Sequence, residues 1–416
     1  MKDVSEKLSI FLKNNIVPSV KNDFPKTRFS NDCKKFIGLL FNQIIYANEI
    51  FEKTNIRTEE LYRGNKTNNF PKGNNYEHTP NGIKEYISNM DKTVYLNEMQ
   101  INGKTINIHL ICKENKTIKC INSVTKKIFL WLSIALQYSP KKCSQNLDIY
   151  LYFTDLEKSL PKRGEIIKEI NANTAFTTFC KPSTEITIFR EEEWFKVFIH
   201  ESFHCLGLDF SEFDNNGTNK KILSIFPVSS DVRIFETYCE MWAEILNVMF
   251  MVFFSTKIKP SSNDSIIDKM IHKTEDCMNQ ERIFSLFQCV KVLEFYGMDY
   301  CDLYEKNEKS HISRLYRYKE NTQVLSYYIL KSIYMFYVHD FIEWCIKHNN
   351  YSLNFNKSPK LLHRNMDEYC NFIQEHYNRS EFVDNIKTIE NWFDNANPNI
   401  MRNSELQTLR MSLYEF

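Results

Sequence analysis

The chain has 416 residues, 43% of them hydrophobic, enough to bury a sizeable core in two or three structural units. Its 53 Lys and Arg balance 52 Asp and Glu, which excludes a global field that would draw the protein to nucleic acid or to an anionic membrane. The 12 cysteines form no C-x-x-C pair and no finger-like Cys/His cluster, so they read as reduced, packed thiols of an intracellular protein. The opening MKDVSEKLSIFLKNN lacks the pattern expected of a secretory leader.

Helical spacing predicts helices over Val4–Ile16 and Asp32–Lys53, followed by a polar surface loop from Arg63 to Pro80. Two alternating runs, Thr93–Ile101 and Thr105–Cys112, flank Asn102-Gly103 and predict a hairpin. Residues 1–120 thus read as an N-terminal helical and hairpin module. The next unit, 121–255, alternates: a helix near Ser123–Tyr138, a strand Leu147–Phe153, a helix near Lys162–Ile170, strands near Thr174–Phe179 and Glu185–Phe189, then a helix Glu191–Leu206. The acidic run Glu191-Glu192-Glu193 would complement the positive end of that last helix, and Gly207 would end it. A polar loop, Ser211–Lys221, precedes a helix near Asp231–Phe254. Residues 256–416 form a mostly helical, aromatic-rich lobe, with Val324–Ile346 as its clearest helical stretch. The apolar runs Ile128–Leu136 and Ile245–Phe254 are too short to span a bilayer and read as buried helices.

The strongest chemical signal is His200-Glu201-Ser202-Phe203-His204. Two His four residues apart on one helical face can bind the same ion, and the Glu beside the first can act as general base on water held there. Val197, Phe198, Cys205 and Leu206 flank the motif without a charge, as a helix buried beside the core requires. Catalytic zinc usually takes three protein ligands. The resemblance to metzincin metallopeptidases, which place a third His six residues after the second, fails because that place holds Phe210. Asp209 reaches the ion only if the chain turns back after Gly207. Downstream lies Glu236-Thr237-Tyr238-Cys239-Glu240-Met241-Trp242-Ala243-Glu244. Its Glu240–Glu244 part resembles the E-x-x-A-D/E pattern of gluzincin metallopeptidases, and that resemblance implies Glu240 as third ligand, with Ala243 allowing close helix approach and Glu244 hydrogen-bonding a ligand His; Glu236, with Glu240 behind it, is the alternative.

Together these motifs resemble the zincin metallopeptidases, and the E-x-x-A-D/E pattern at Glu240–Glu244 resembles the gluzincin branch. That resemblance covers about residues 145–250. It implies an α+β fold: a small mixed sheet, an active-site helix carrying H-E-x-x-H, and a second ligand-bearing helix, here extended by the N-terminal module and the C-terminal lobe. It implies one Zn2+ per chain, a peptide or protein substrate, and hydrolysis by a zinc-bound water activated by Glu201. Asn171–Phe179 and Glu185–Phe189 both resemble the strand that lines a zincin cleft. Tyr327 and Tyr328 resemble the paired Tyr that stabilises the oxyanion in some gluzincins, with Tyr238, Arg233 and His311 as alternatives. The Asn-Thr-Ala-Phe run, the segment IFREEEWFKVFIHESFHCLGLDFSEF and ETYCEMWAEI are also similar to uncharacterised metallopeptidase-like proteins of giant DNA viruses, implying action in the cytoplasm, a virus factory or the virion. The rival reading is a non-catalytic relative of the same fold kept as an interaction or structural protein.

Overall fold

In the computed structural model, residues 2–20, 28–64, 70–113, 118–256, 264–397, 400 and 403–416 are described. Helix α1 (Asp3–Phe11) continues into a π-helical stretch, and α2 (Asn31–Lys53) starts at Ser30, whose side chain accepts from the Cys33 amide. Part of the expected 63–80 loop is regular: Arg63 and Gly64 end β1 (Thr58–Gly64), and Asn74–His78 forms a 3-10 turn before α3 (Asn81–Asn89). The hairpin is β2 (Lys92–Ile101) with β3 (Lys104–Lys113), Ile101 opposite Lys104. Its turn residues Asn102 and Gly103 both take positive φ, 50° and 76°, as the tight turn between twisted strands demands.

Helix α4 (Ile118–Tyr138) carries the chain to β4 (Asn146–Phe153), parallel to β3. Next come β5 (Ile167–Lys168), the short α5 (Glu169–Ala172), β6 (Ala175–Thr177) and β7 (Ser183–Ile188). The mixed six-stranded sheet has the order β1-β2-β3-β4-β7-β6, with β7 parallel to β4 and β6 antiparallel to β7. Segments before and after residue 120 therefore share one sheet. The helix expected over 162–170 is absent: of its apolar residues only Ile167 is buried, while Ile166 and Ile170 are exposed, so a helical face there has nothing to cover it.

One pair of cysteines departs from the expectation of reduced thiols: Cys143 and Cys180 are disulfide-bonded, and no other disulfide joins the described residues. The parallel register explains the pairing. Asn146 lies opposite Ser183, so the residues three before each strand start are brought together, and the Ser144 amide donates to the Lys181 carbonyl at 2.6 Å.

The rest is helical: α6 (Trp194–Cys205), α7 (Asn216–Ile225), α8 (Ile234–Ser255), α9 (Asp264–Tyr296), α10 (Glu308–Tyr316), the two-residue β8 (Glu320–Asn321), α11 (Lys331–Phe336), α12 (Val338–Asn349), α13 (Leu362–His376) and α14 (Ser380–Asn395). Two sequence expectations change. Half of the expected 211–221 loop belongs to α7, and the 324–346 helix is interrupted, beginning as a π-helix over Leu325–Leu330 and breaking at Tyr337. Helix α8 is buried at every residue from Ile234 to Phe253, as a helix apolar all round must be. It is long and apolar enough to cross a membrane by composition, yet it is packed inside the protein. Its carboxylates, Glu236, Glu240 and Glu244, form one stripe at a spacing of four, and α6 packs beside it.

Candidate metal centre

Strand β7 delivers the chain to α6 through a turn in which Glu193 takes φ 54°. The acidic run lies at the start of the helix, with Glu193 at its first, non-helical position. Glu193 makes no capping bond; its carboxylate is buried, accepting from Lys158 Nζ at 2.8 Å and from the amides of Met411 and Ser412 at 3.0 and 2.6 Å. The other end behaves as expected. Gly207, at φ 62°, donates to the His204 carbonyl, and Leu208 donates to that of Phe203, the paired closure that a left-handed Gly permits. This closure folds the chain back along the helix and sets Asp209 beside His204.

Three donor atoms converge between α6 and α8. His200 Nε2 lies 3.0 Å from Glu236 Oε2 and 3.3 Å from His204 Nε2, and His204 Nε2 lies 3.5 Å from Glu236 Oε2. Ligands held at about 2.0–2.1 Å in tetrahedral directions stand roughly 3.3 Å apart, so this set fits a zinc ion. Two imidazoles and a carboxylate are also the donor types that zinc takes. Of the two candidate carboxylates, Glu236 is the one whose oxygen joins the two imidazole nitrogens; Glu240, the preferred candidate, stands outside that trio.

Glu240 instead lies on the far side of the first imidazole, its Oε1 3.2 Å from His200 Nδ1. On His204 the same position is filled by Asp209, whose Oδ2 is 2.7 Å from Nδ1; Asp209 orients an imidazole and does not join the three donors. The Asp209 bond fixes the tautomer and aim of the His204 ring, while Glu240 faces His200 Nδ1 at ion-pair distance. Lys196, one turn before His200 on α6, forms a buried ion pair with Glu240. Burial alone would push Glu240 up, but Lys196 and His200 hold it well below the usual carboxylate range. Glu244 was expected to bond a ligand His and does not; it accepts from Lys331 Nζ at 2.7 Å. Cys239 Sγ stands 3.8 Å from His204 Nδ1, so His204, Asp209 and Cys239 form a second cluster with metal-ligand atoms on the other face of the same ring.

Burial opposes charge on both imidazoles, yet both are raised: His200 by Glu236 and Glu240, His204 by Cys239, Asp209 and Glu236. Glu236 is correspondingly held low, its burial outweighed by His204 and His200. A constellation that favours two positive charges against its carboxylates is electrostatically suited to a divalent cation.

Glu201 is the one residue of α6 that is not buried. With His204, Glu236 and Tyr327 it lines a cavity of about 370 Å³, and burial pushes its carboxyl up, toward the range useful to a base working near neutrality. Of the paired tyrosines only Tyr327 belongs here: its hydroxyl donates to Glu236 Oε2 at 3.3 Å. Tyr328 faces away, bonding the Leu409 carbonyl at 2.6 Å. Tyr238 is buried and bonds the Leu353 carbonyl, His311 is exposed and lies off the cavity, and Arg233 lines it while paired to Asp231. Of the two candidate cleft strands, β6 is the sheet edge and lines the cavity; β7 is interior.

No protein-family model matches the chain, and no solved structure matches it significantly. It is similar to an uncharacterised protein of Acanthamoeba polyphaga mimivirus, 20% identical over 411 residues, a match covering 95% of this chain and 97% of the viral one.

Proposed function

We propose that this protein is a zinc-dependent metallopeptidase of the gluzincin type, holding one Zn2+ with His200, His204 and Glu236. The observation that carries the reading is the partial exposure of Glu201 alone along an otherwise buried helix, beside the three converging donors and on the cavity wall. A bound zinc ion supplies Lewis-acid polarisation of the scissile carbonyl and lowers the pKa of water. Glu201 takes the proton of the attacking water and delivers it to the leaving amine. Tyr327, whose hydroxyl pKa is raised by burial and by neighbouring carboxylates, stays protonated and donates to the developing oxyanion. The edge strand β6 offers backbone groups to an extended peptide. Support for a zincin-type core comes from the mixed sheet with its antiparallel edge beside α6. The mimivirus relative supports a viral protein, and we place its action inside the infected cell.

The test is Glu201→Gln, which keeps size and most hydrogen bonding but cannot accept the proton. The variant should retain zinc and fold while peptide cleavage falls by about 10²–10⁴-fold, read in a peptide-library screen beside wild type and chelator-treated protein. Equal cleavage by the variant refutes Glu201 as base. No cleavage by reconstituted wild type favours the non-catalytic reading.

A further inference from the structure

Two chain segments that line the cavity beside Glu201, one holding Glu169 and Asn173 and the other Glu320, Asn321 and Thr322, are joined to each other. Strands β5 and β8 of these segments pair in parallel, Ile167 opposite Glu320 and Lys168 opposite Asn321. Beside them Thr322 Oγ1 donates to Asn173 Oδ1 at 2.6 Å. Each arm is tied down on its own side. Buried Arg190 donates to the carbonyls of Asn173, Glu157 and Ile170 under the first arm. On the second, Glu320 accepts from the Tyr318 hydroxyl, the Leu325 amide and the Ser230 hydroxyl. The bridge is therefore a built clasp rather than two loops in passing contact.

Its position limits what can lie in the groove. Asn173, at the clasp, is two residues before β6 begins. At about 3.3 Å per residue, a peptide strand added along β6 meets the Asn173–Thr322 contact within roughly 7 Å of the first residue of β6. Asn173 and Thr322 line the same cavity as Glu201, and its volume of about 370 Å³ is at the lower end of the roughly 300–1,000 Å³ usual for ligand pockets.

Resting on the peptidase reading above, we infer that the clasp terminates the substrate groove and confines the enzyme to short peptides and chain ends, excluding bonds inside a long polypeptide. The test takes a peptide of about five residues that wild type cleaves in the library screen, and the same core carrying about ten extra residues on each side. Wild type should cleave the short form with a kcat/KM about tenfold or more above the long form. Thr322→Val, which removes the bond to Asn173, and Asn321→Pro, which disrupts β8, should narrow that ratio with fold checked by thermal melting. A binding readout needs no clasp variant: zinc-loaded Glu201→Gln should bind the labelled short peptide about tenfold or more tightly than the long one in fluorescence anisotropy. Equal cleavage and binding of both lengths by proteins with an intact clasp overturn the inference while leaving the peptidase reading standing. An unchanged ratio in folded clasp variants overturns the clasp as its cause. Absence of cleavage at every length overturns the peptidase reading and this inference with it.

Discussion

Glu236 and Glu240 sit one turn apart on α8 and face the same imidazole, so their roles separate only when zinc affinity and stability are read together. Glu236→Gln removes one of the three convergent donors, leaving two imidazoles; zinc affinity should fall beyond the range expected for an outer carboxylate. Its loss strands no lysine, since neither Lys196 nor Lys331 pairs with it. The metal-free protein should therefore lose less stability than it does with Glu240→Gln, because the imidazoles paired with Glu236 can shed their protons whereas a lysine does so at far greater cost. Glu240→Gln keeps all three donors but loosens His200, which costs about 10–100-fold in affinity, or about 1.4–2.7 kcal/mol. It also leaves Lys196, buried and paired with Glu240, without its carboxylate. Breaking a buried ion pair from one side costs about 3–5 kcal/mol, while Lys331 keeps Glu244 at 2.7 Å. The two variants should thus rank oppositely in two assays: chelator-competition titration for zinc, and denaturant unfolding in excess chelator for stability. If Glu240→Gln abolishes zinc binding while Glu236→Gln merely weakens it, the ligand assignment is reversed. If Glu240→Gln leaves chelated stability unchanged, the Lys196 pair does not hold the fold as argued.

Thiol titration of the denatured, unreduced protein should find ten thiols per chain, rising to twelve after reduction; twelve at the outset would remove the Cys143–Cys180 link. Gly207→Ala should destabilise by about 1–2 kcal/mol or more, because φ is 62° and the new Cβ would stand 3.0 Å from Cys143 Sγ; an unchanged melting curve would contradict the left-handed closure of α6. Lys291, buried with carbonyl acceptors from Glu405 and Thr408, has its amine pulled down to about 7 by burial. The unfolded chain, with its pKa near 10.4, binds that proton more tightly, so the penalty is complete below about pH 7 and fades as pH rises toward 10. Stability should climb across that window, and Lys291→Met should stabilise at neutral pH and flatten the climb; an identical slope in the variant would show that Lys291 does not titrate there.

The chain announces its site more clearly than its frame. His200, Glu201 and His204 are legible because their spacing is a property of one helix, and the 102–103 turn because two residues decide it. The choice between Glu236 and Glu240 is not local: it turns on Lys196, one turn before His200, which claims Glu240 from the opposite side. A reading that stops at the uncharged flank from Val197 onward passes over that lysine. Asp209 is visible as a candidate, but its place follows from the sharp reversal at Gly207, which sets it on His204 Nδ1 rather than among the three converging donors. The 162–170 segment has helical spacing without a surface to pack on, and the Cys143–Cys180 pair depends on a strand register between β4 and β7 that spacing alone does not give. Tyr327 and Tyr328 are adjacent and equivalent on paper; the π-helical winding of Leu325–Leu330 sends one to the cavity and the other to Leu409.

The seating of Glu193 has a consequence in time. Its carboxylate, at the threshold of α6, is satisfied by amides 218 and 219 residues further along. During synthesis the H-E-x-x-H helix emerges long before Met411 and Ser412 exist to receive that charge, and contacts of such wide separation form slowly because so long a loop must first be closed. The nascent protein therefore carries its candidate metal-binding residues on a helix whose mount at Glu193 is completed only once Met411 and Ser412 have been made.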